Sequence, residues 1–361
     1  MKNSKLSNNL CQDLIIEIFT KLPVKSLLRF RSVSKSLCAC IGSPDFIRLY
    51  TLRSPDEKLM IAHQFYHKGV DNPFSYIYTL HSESQLSSSP YTNVQAADYP
   101  FTGFGVVGSS NGIICLFKTE NGISLWNPST RRKLTAQDRP AWIHTLIPSE
   151  RRSSYHVFGF GYDAISDDYK ILRWTKRDTL EVYSVYTLKT DAWCEIRGPA
   201  IHPYLHSCQC LFNGTLHWVA EYKLPIIMYS YHMMTFDLST GVFSTFPLPG
   251  RNWDTSQVTI IKGYLAVISS ENANTWIWVR KEESWSVAFK FKTIEINRAY
   301  KVLQLSANGD LLLQSLIEGI LVHNPETHAQ SRLEKFRGSN RVYVMEKYVE
   351  GLGLLHMGTS C

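Results

Sequence analysis

The first fifty residues place apolar side chains at helical spacing. Apolar residues recur at positions i, i+1, i+4, i+5 and i+8, which predicts a helix of about three turns with a broad apolar stripe. The members of this stripe are Leu14, Ile15, Ile18, Phe19 and Leu22. Pro23 then ends the helix and opens a second one, because proline is tolerated in a first helical turn.

Two more short helices follow. The second passes through Leu27 and Leu28, and the third carries Val33, Leu37 and Ile41. Three short helices cannot bury this many apolar side chains among themselves, because so small a unit removes little of its surface from water. A partner protein is therefore expected to cover the surface that stays apolar.

The rest of the chain instead alternates apolar and polar residues in short runs rich in aromatic and β-branched side chains, as β-strands do. A degenerate repeat runs through this region, in which a strand leads into a polar turn with a threonine or serine. Its copies, 43 to 60 residues apart, lie at residues 125–130, 186–190, 236–240, 279–284 and 322–327. Periods of roughly 40 to 50 residues with about four strands each are typical of propeller blades.

The predicted fold is therefore an α+β multidomain chain. A small N-terminal three-helix module occupies residues 8–53, and an all-β, kelch-like β-propeller of six blades, give or take one, occupies residues 54–361. The apolar run at residues 341–349 is the strand expected to close the ring against the first blade. A pair of β-sandwiches that share these hairpins by chance is the alternative fold.

Positive charge is concentrated in the N-terminal module. Residues 1–53 hold nine Lys and Arg against three Asp and Glu, so they contribute +6 of the formal net charge of +7. An acidic protein surface is the expected partner, because complementary charge steers encounter and orients docking. The competing interpretation is phosphate binding by Lys25, Arg29, Arg31 and Lys35. These residues match no recognised nucleic-acid reader motif, so no nucleic-acid partner is expected.

Residues 10–35 read LCQDLIIEIFTKLPVKSLLRFRSVSK and resemble the plant form of the F-box, the adaptor-docking module of Skp–cullin–F-box ubiquitin ligases. The sequence departs from the usual motif at Cys11, where a proline usually stands, and at Leu37, where a tryptophan usually stands. The alternative is an ordinary three-helix subdomain packed on the rest of the chain. The resemblance implies binding to a Skp-type adaptor and through it to a cullin. The adaptor-binding residues that it implies are Leu10, Leu14, Ile15, Ile18, Leu22, Pro23, Leu27, Leu28, Val33, Ser34, Lys35 and Leu37.

Six further blocks resemble the signature blocks of the plant F-box-associated interaction domain, in F-box/kelch-repeat type proteins. They are residues 108–116, 126–131, 158–163, 167–172, 213–218 and 236–240. With the F-box they span nearly the whole chain. The resemblance implies a substrate-recognition subunit whose β domain binds a target protein for ubiquitination and proteasomal degradation. Within the family, the S-locus F-box and S-locus-F-box-like group is the most similar, and the target implied there is a style ribonuclease. The target-binding residues stay unknown.

Other functions remain open at this point. One is a non-degradative module that occupies the adaptor, and another is an F-box receptor for a defence or signalling protein. A kelch-type oxidoreductase is a more distant third, because neither a copper ligand set nor a secretory signal is visible.

The sequence predicts no catalytic residues, no metal site and no cofactor. Residues 103–108 match G-x-G-x-x-G, but they run into a strand, so no helix N-terminus faces a pyrophosphate. Residues 32–35 match S-x-x-K without its companion elements. The nearest approach to a metal-binding set is His202, His206, Cys208, Cys210 and His217. A single C-x-C pair favours free cysteines in a buried strand instead.

Cysteine usage indicates the compartment. Eight cysteines are spread over 361 residues without framework spacing, and the N-terminus lacks the unbroken apolar run of a signal peptide. Reduced thiols and a cytoplasmic location, with the nucleus as a second compartment, are therefore expected. No stretch approaches eighteen apolar residues, so no membrane segment is expected.

Overall fold

Within its described residues, the computed structural model of the protein has four helices followed by twenty-five strands. The described residues are 12–53, 57–69, 74–82, 97–98, 105–118, 122–136, 154–177, 180–204, 209–223, 229–249, 257–271, 274–292, 300–305, 309–315, 319–327, 329–332 and 341–355.

The N-terminal module has four helices, one more than the sequence pattern predicts. They are α1 (Gln12–Thr20), α2 (Val24–Arg31), α3 (Lys35–Gly42) and α4 (Pro44–Arg53). The missed helix α4 begins where the Ser43 hydroxyl accepts a hydrogen bond from the Phe46 amide at 3.2 Å. Phe46 and Tyr50, one turn apart, are buried against the other helices and hold α4 in place. None of the four is long and apolar enough to cross a membrane.

The described strands form six antiparallel sheets, numbered here in chain order. Sheet 1 contains β1 (Glu57–Tyr66), β2 (Phe74–Ser82), β3 (Ala97–Asp98) and β25 (Arg341–Val349); sheet 2 contains β4 (Gly105–Ser110), β5 (Ile113–Lys118), β6 (Gly122–Asn127) and β7 (Arg132–Thr135); sheet 3 contains β8 (Ser154–Asp163), β9 (Asp168–Arg177), β10 (Leu180–Thr187) and β11 (Ala192–Ile196). Sheet 4 contains β12 (His202–Pro203), β13 (Cys210–Phe212), β14 (Thr215–Lys223), β15 (Tyr229–Asp237) and β16 (Phe243–Pro247); sheet 5 contains β17 (Gln257–Ile261), β18 (Tyr264–Glu271), β19 (Asn274–Lys281) and β20 (Ser284–Lys292); sheet 6 contains β21 (Tyr300–Leu305), β22 (Leu311–Ser315), β23 (Gly319–His323) and β24 (Gln330–Arg332).

The six sheets form a closed ring. Each sheet contacts the next one in chain order, and sheet 6 contacts sheet 1. Five sheets consist of consecutive strands, whereas sheet 1 takes β25 from the far end of the chain. There Glu57 of β1 lies opposite Val349 of β25, and Gln64 lies opposite Arg341. This architecture is a β-propeller. The predicted closing strand is confirmed, the number of sheets lies within the predicted range, and the alternative of two β-sandwiches is wrong.

Sheets 3 and 4 pack closely because Gly159 of β8 has no side chain. A Cβ atom added to Gly159 would lie 2.3 Å from a ring carbon of Trp218 in sheet 4, closer than any real contact. Trp218 is itself almost fully buried in the core between sheets 3 and 4. Gly159 therefore permits the close packing of these two sheets.

A buried carboxylate also joins sheets 3 and 4. Asp163 accepts hydrogen bonds from the Lys170 ammonium at 2.8 Å and from the Ser239 hydroxyl at 2.6 Å. The same ammonium donates to the Leu238 carbonyl at 2.7 Å. Burial alone raises the pKa of Asp163, but the hydrogen bonds from Lys170, Ser166 and Ser239 outweigh it and hold the pKa well below its usual value. Asp163 is therefore ionised at neutral pH, with its charge neutralised by Lys170.

The cysteines only partly follow the sequence prediction. Cys40, Cys115, Cys194 and Cys210 carry reduced thiols. Cys38 forms a disulfide, so the expectation of reduced thiols is wrong at this position.

Several histidines are buried in the neutral form. In sheet 1, Nε2 of His63 and Nε2 of His81 both lie 2.7 Å from the Thr79 hydroxyl oxygen. Burial lowers the pKa of both rings to about 4, and the neighbouring His81 lowers that of His63 further. Burial also lowers the pKa of His156 and His217 to about 4. The propeller therefore folds around imidazoles that an unfolded chain would protonate below pH 6.5.

We expect the free energy of unfolding to fall as the pH drops from about 7 to about 4, because only the unfolded chain then takes up these protons. The double variant His63→Gln, His81→Gln should show a shallower fall. Its matched control is His67→Gln at an exposed position, which should keep the wild-type slope. Urea unfolding at a series of pH values measures the effect, and identical slopes for all three proteins would contradict the prediction.

Candidate functional site

A set of large apolar side chains faces solvent on α1, on α2 and directly after α2. Leu14 is 49% exposed, Ile18 48%, Phe30 38% and Val33 69%. The ring of Phe30 stacks on that of Phe19 with the centroids 5.1 Å apart, which packs the end of α2 against the end of α1. We call Leu14, Ile18, Phe30 and Val33 the apolar patch. Apolar residues exposed together mark a surface that a partner covers.

Basic residues flank this patch in the sequence. Lys25, Arg29 and Lys35 are exposed, and Lys21 is exposed but lies 3.4 Å from the Glu17 carboxylate in an i, i+4 pair. Such a surface pair contributes little to stability. The remaining positive charge favours a partner with an acidic surface around an apolar centre.

The other face of the same helices is buried in an apolar core. Two leucines from the opposite end of the chain take part in this core. Its buried members are Phe19, Val24, Leu27, Ile41, Phe46, Tyr50, Leu352 and Leu355. The module therefore packs on the propeller through one face and leaves the apolar patch free on the other.

Two hydrogen bonds fix the positions of the helices. The Ser34 hydroxyl accepts from the Leu37 amide at 3.2 Å and caps α3. The Tyr50 hydroxyl donates to the Leu22 carbonyl at 3.0 Å, which holds the α1–α2 turn on α4. Burial, with a smaller effect of the Glu350 charge, raises the pKa of Tyr50 to about 12, so this hydroxyl keeps its proton and its donor role.

Among the described residues, the fold brings two of the candidate metal ligands together, but not three. Cys210 of β13 and His217 of β14 are cross-strand partners, whereas Nδ1 of His202 lies 2.7 Å from the carboxylate of Glu181. His206 and Cys208 lie outside the described residues. Among the described residues, no group of three His, Cys, Asp or Glu side chains is placed to hold a metal ion.

Two family models match the chain in succession. The model for the F-box domain matches residues 7–49, and the model for the F-box associated beta propeller domain matches residues 65–316. The first match falls on the helical module and the second on the ring of sheets, where it covers more than half of the chain. The chain belongs to the F-box proteins. Its F-box is the module that carries the apolar patch.

The chain is also similar to individual F-box proteins of Arabidopsis thaliana. F-box protein CPR1 is 27% identical over 325 residues, which cover 77% of this chain and 71% of that protein. F-box protein At3g07870 is 24% identical over 375 residues, covering 88% and 85% of the two chains. F-box/kelch-repeat protein At3g23880 is 25% identical over 302 residues, covering 77% and 78%. Each of these similarities covers more than three quarters of this chain.

The predicted adaptor-binding residues divide into three groups in the F-box. The exposed ones are Leu14, Ile18, Pro23, Val33, Ser34 and Lys35. The half-buried ones, which pack against the F-box core, are Ile15, Leu22, Leu28 and Leu37. Leu27 is fully buried and belongs to the F-box core, so in this structure it does not lie on the exposed surface. Leu10 lies outside the described residues.

Sequence reasoning missed three residues of this site. Phe30 belongs to the exposed patch, and its place in the repeating helical pattern of the F-box was available as a signal. Leu352 and Leu355 complete the F-box core from a distance of about 300 residues along the chain. No local pattern connects them to the first helices.

Two variants of the F-box should separate its core from its exposed patch. Leu27→Ala should lower the free energy of unfolding by about 2–5 kcal/mol, because it removes fully buried methyl groups. Ile18→Ala, at a position that is 48% exposed, should change it by no more than about 0.5 kcal/mol. Urea unfolding measures both values. Equal effects of the two substitutions would show that the assignment of faces is wrong.

Proposed function

We propose that this F-box protein is the substrate-recognition subunit of a Skp–cullin–F-box ubiquitin ligase. In this proposal the F-box, residues 8–53, binds a Skp-type adaptor and through it a cullin. The propeller, residues 54–361, binds a target protein, which is ubiquitinated and then degraded by the proteasome. The observation that carries the proposal is the apolar patch, which stays exposed while the other face of the same helices is buried.

The proposed contribution to the reaction is proximity. The subunit itself breaks and forms no covalent bond. It holds the target beside a ubiquitin-charged enzyme, which raises the effective concentration of the target lysine in the way that linked binding sites do. We expect this to take place in the cytoplasm and also in the nucleus.

The propeller end farthest from the F-box is the proposed target-binding end. β1 begins just after α4, so the F-box lies at the end of the propeller where β1 starts. Since the strands are antiparallel, the last residues of β1, the first of β8 and the last of β14 all lie at the opposite end. Tyr66, Tyr155, Leu180 and Tyr222 lie at such strand ends and are 45% to 56% exposed. Tyrosine side chains of this kind are common in protein interfaces.

The identity of the target stays a prediction. A style ribonuclease is the target that the S-locus resemblance implies, and a defence or signalling protein is the alternative. A second candidate function is a module that occupies the adaptor without degrading anything. The exposed apolar patch supports adaptor binding in both functions, so ubiquitination of a bound protein is the observation that separates them.

Charged residues in the apolar patch should abolish adaptor binding. The full-length double variant Leu14→Asp, Ile18→Asp should bind a recombinant Skp-type adaptor at least about tenfold more weakly, because association would bury unpaired carboxylates. Both positions are about half exposed in the free protein, so the fold should be kept. The matched control is Ile165→Asp, Val242→Asp, at exposed positions in turns of the propeller. Calorimetry or biosensor titration measures the affinities, and normal adaptor binding by the first variant would exclude the F-box surface proposed here.

Substitutions at the proposed target-binding end of the propeller should weaken target binding and leave adaptor binding intact. The full-length variant Tyr66→Ser, Tyr155→Ser, Tyr222→Ser should keep adaptor affinity but lose proteins that co-purify with the wild type from proteasome-inhibited tissue. Ile165→Asp, Val242→Asp at the F-box end serves again as the control and should keep them. The degradative function is supported if a captured protein is ubiquitinated and if the Leu14→Asp, Ile18→Asp variant loses this ubiquitination. Capture without ubiquitination supports the non-degradative module.

A further inference from the structure

Residues 351–355, Gly-Leu-Gly-Leu-Leu, follow the closing strand β25 and lie between the F-box and the propeller. Leu352 and Leu355 are at most 2% exposed and belong to the F-box core. Leu354 is 3% exposed and belongs instead to the core between sheets 2 and 3. We call residues 351–355 the C-terminal clasp, because its leucines enter the cores of both parts of the molecule.

The backbone of the clasp explains how neighbouring leucines point in opposite directions. The Leu355 amide donates to the Leu352 carbonyl at 3.1 Å, which closes a turn. Leu354 within this turn has a φ of +63°, in the left-handed region that a leucine rarely adopts. Such a conformation persists only where the surrounding contacts impose it. The two sets of leucine contacts supply that constraint.

One buried side chain attaches the clasp to the propeller. Asn127, at the end of β6, is fully buried, and its Nδ2 donates to the carbonyls of Gly351 at 2.9 Å and Gly353 at 2.8 Å. Its Oδ1 accepts from the amides of Ser129 and Thr130 and so caps the β6–β7 turn. Oδ1 of Asn127 therefore caps the β6–β7 turn, and Nδ2 of the same side chain binds the clasp.

The repeat of the propeller shows that the second role is particular to Asn127. Asp237 stands at the equivalent position of sheet 4, and its Oδ1 accepts from the Ser239 and Thr240 amides. Asn324 caps the equivalent turn of sheet 6, and its Nδ2 donates to Asp310. An aspartate thus suffices for the turn. The amide nitrogen of Asn127 is the part that holds the clasp.

Glycine backbones also bring the clasp against the turn between β4 and β5. A Cβ atom added to Gly351 would lie 2.7 Å from the Asn111 carbonyl oxygen, and one added to Gly353 would lie 2.7 Å from Ile113 Cγ1. The turn residue Gly112 has a φ of +80° and faces Gly351 equally closely. Only residues without side chains permit this contact.

We propose that the C-terminal clasp and Asn127 are positioning elements that hold the F-box in one fixed orientation on the propeller. This inference rests on the proposed function, in which a target on the propeller must reach an enzyme bound through the F-box. A fixed orientation restricts which lysines the ubiquitin-charged enzyme reaches. Loosening the clasp should change the sites of ubiquitin transfer while adaptor binding, which uses the opposite face of the F-box, stays intact.

The test uses the full-length protein and the variant Asn127→Asp, which keeps the turn acceptor but replaces the two donated hydrogens by a carboxylate oxygen. The control is Asp237→Asn, the reverse exchange at a turn without a clasp contact. A second pair is Gly351→Ala against Gly105→Ala, where an added Cβ atom would come no closer than 3.9 Å to its neighbours. Hydrogen exchange, read by mass spectrometry, reports how firmly α4 is held.

We expect amide exchange in α4 to be about tenfold faster in Asn127→Asp and Gly351→Ala than in their controls, with exchange in sheets 4 and 5 unchanged. Unchanged amide exchange in α4 in both variants would overturn the proposed role of the clasp, whatever the ubiquitin-transfer assay shows. A variant that loosens sheets 4 and 5 as much as α4 would likewise overturn the proposed specific role.

Ubiquitin transfer gives the functional readout. With recombinant Skp-type adaptor, cullin and charged conjugating enzyme, the probe is the set of lysines on the F-box protein's own propeller. We expect a narrow set of modified lysines in the wild type and in the controls, a broader set in the clasp variants, and adaptor affinity within about threefold throughout. The variant Leu352→Ser, Leu355→Ser should broaden the set further, and Leu352→Met, Leu355→Met should restore it. The same narrow set in all proteins would overturn the inference. No transfer by the adaptor-bound wild type would overturn the proposed function instead.

Discussion

The pairing of β25 with β1 is the constraint on which the rest of the molecule depends. It joins the last strand of the chain to the first one after the F-box, and so closes a ring that five sheets of consecutive strands leave open. Ring closure removes the free edge that an open array of sheets would expose. The same pairing delivers the residues after β25 to the F-box, because β25 ends beside the start of β1.

The F-box shows how one short helical unit serves two surfaces. α1 directs Phe19 inward and Leu14 and Ile18 outward, and α2 directs Leu27 inward and Phe30 outward. A unit of this size would leave much of its apolar surface in water if it stood alone. Leucines from the propeller end of the chain complete the inward face, so the outward face is free to remain apolar for a partner.

The sequence revealed those parts of the structure that depend on neighbouring residues. Helical spacing placed the first helices, and the recurring polar turns, such as the one that begins at Asn127, indicated blades with closed hairpins. The fourth helix was missed although Ser43 and Pro44 form a typical helix start signal. Its apolar spacing is carried by Phe46 and Tyr50 within one short helix, which is too little for the helical pattern to stand out. The burial of Leu27 escaped prediction for a different reason. Where apolar residues cover more than one face of a helix, the sequence does not indicate which of them face the core. This is so above all when residues distant in the chain complete that core.

The contribution of Leu352 and Leu355 to the F-box core affects the order in which the protein matures. The F-box helices leave the ribosome first, but the core that supports them is complete only when the final residues of β25 and the clasp have been made. Domains near the N-terminus usually fold during synthesis, ahead of the rest of the chain. In this protein the core of the F-box depends on Leu352 and Leu355, which are made about 300 residues later. A chain interrupted before residue 352 therefore carries an F-box with an open core, and the helices that bear the apolar patch gain their full support only after Leu352 and Leu355 have been made.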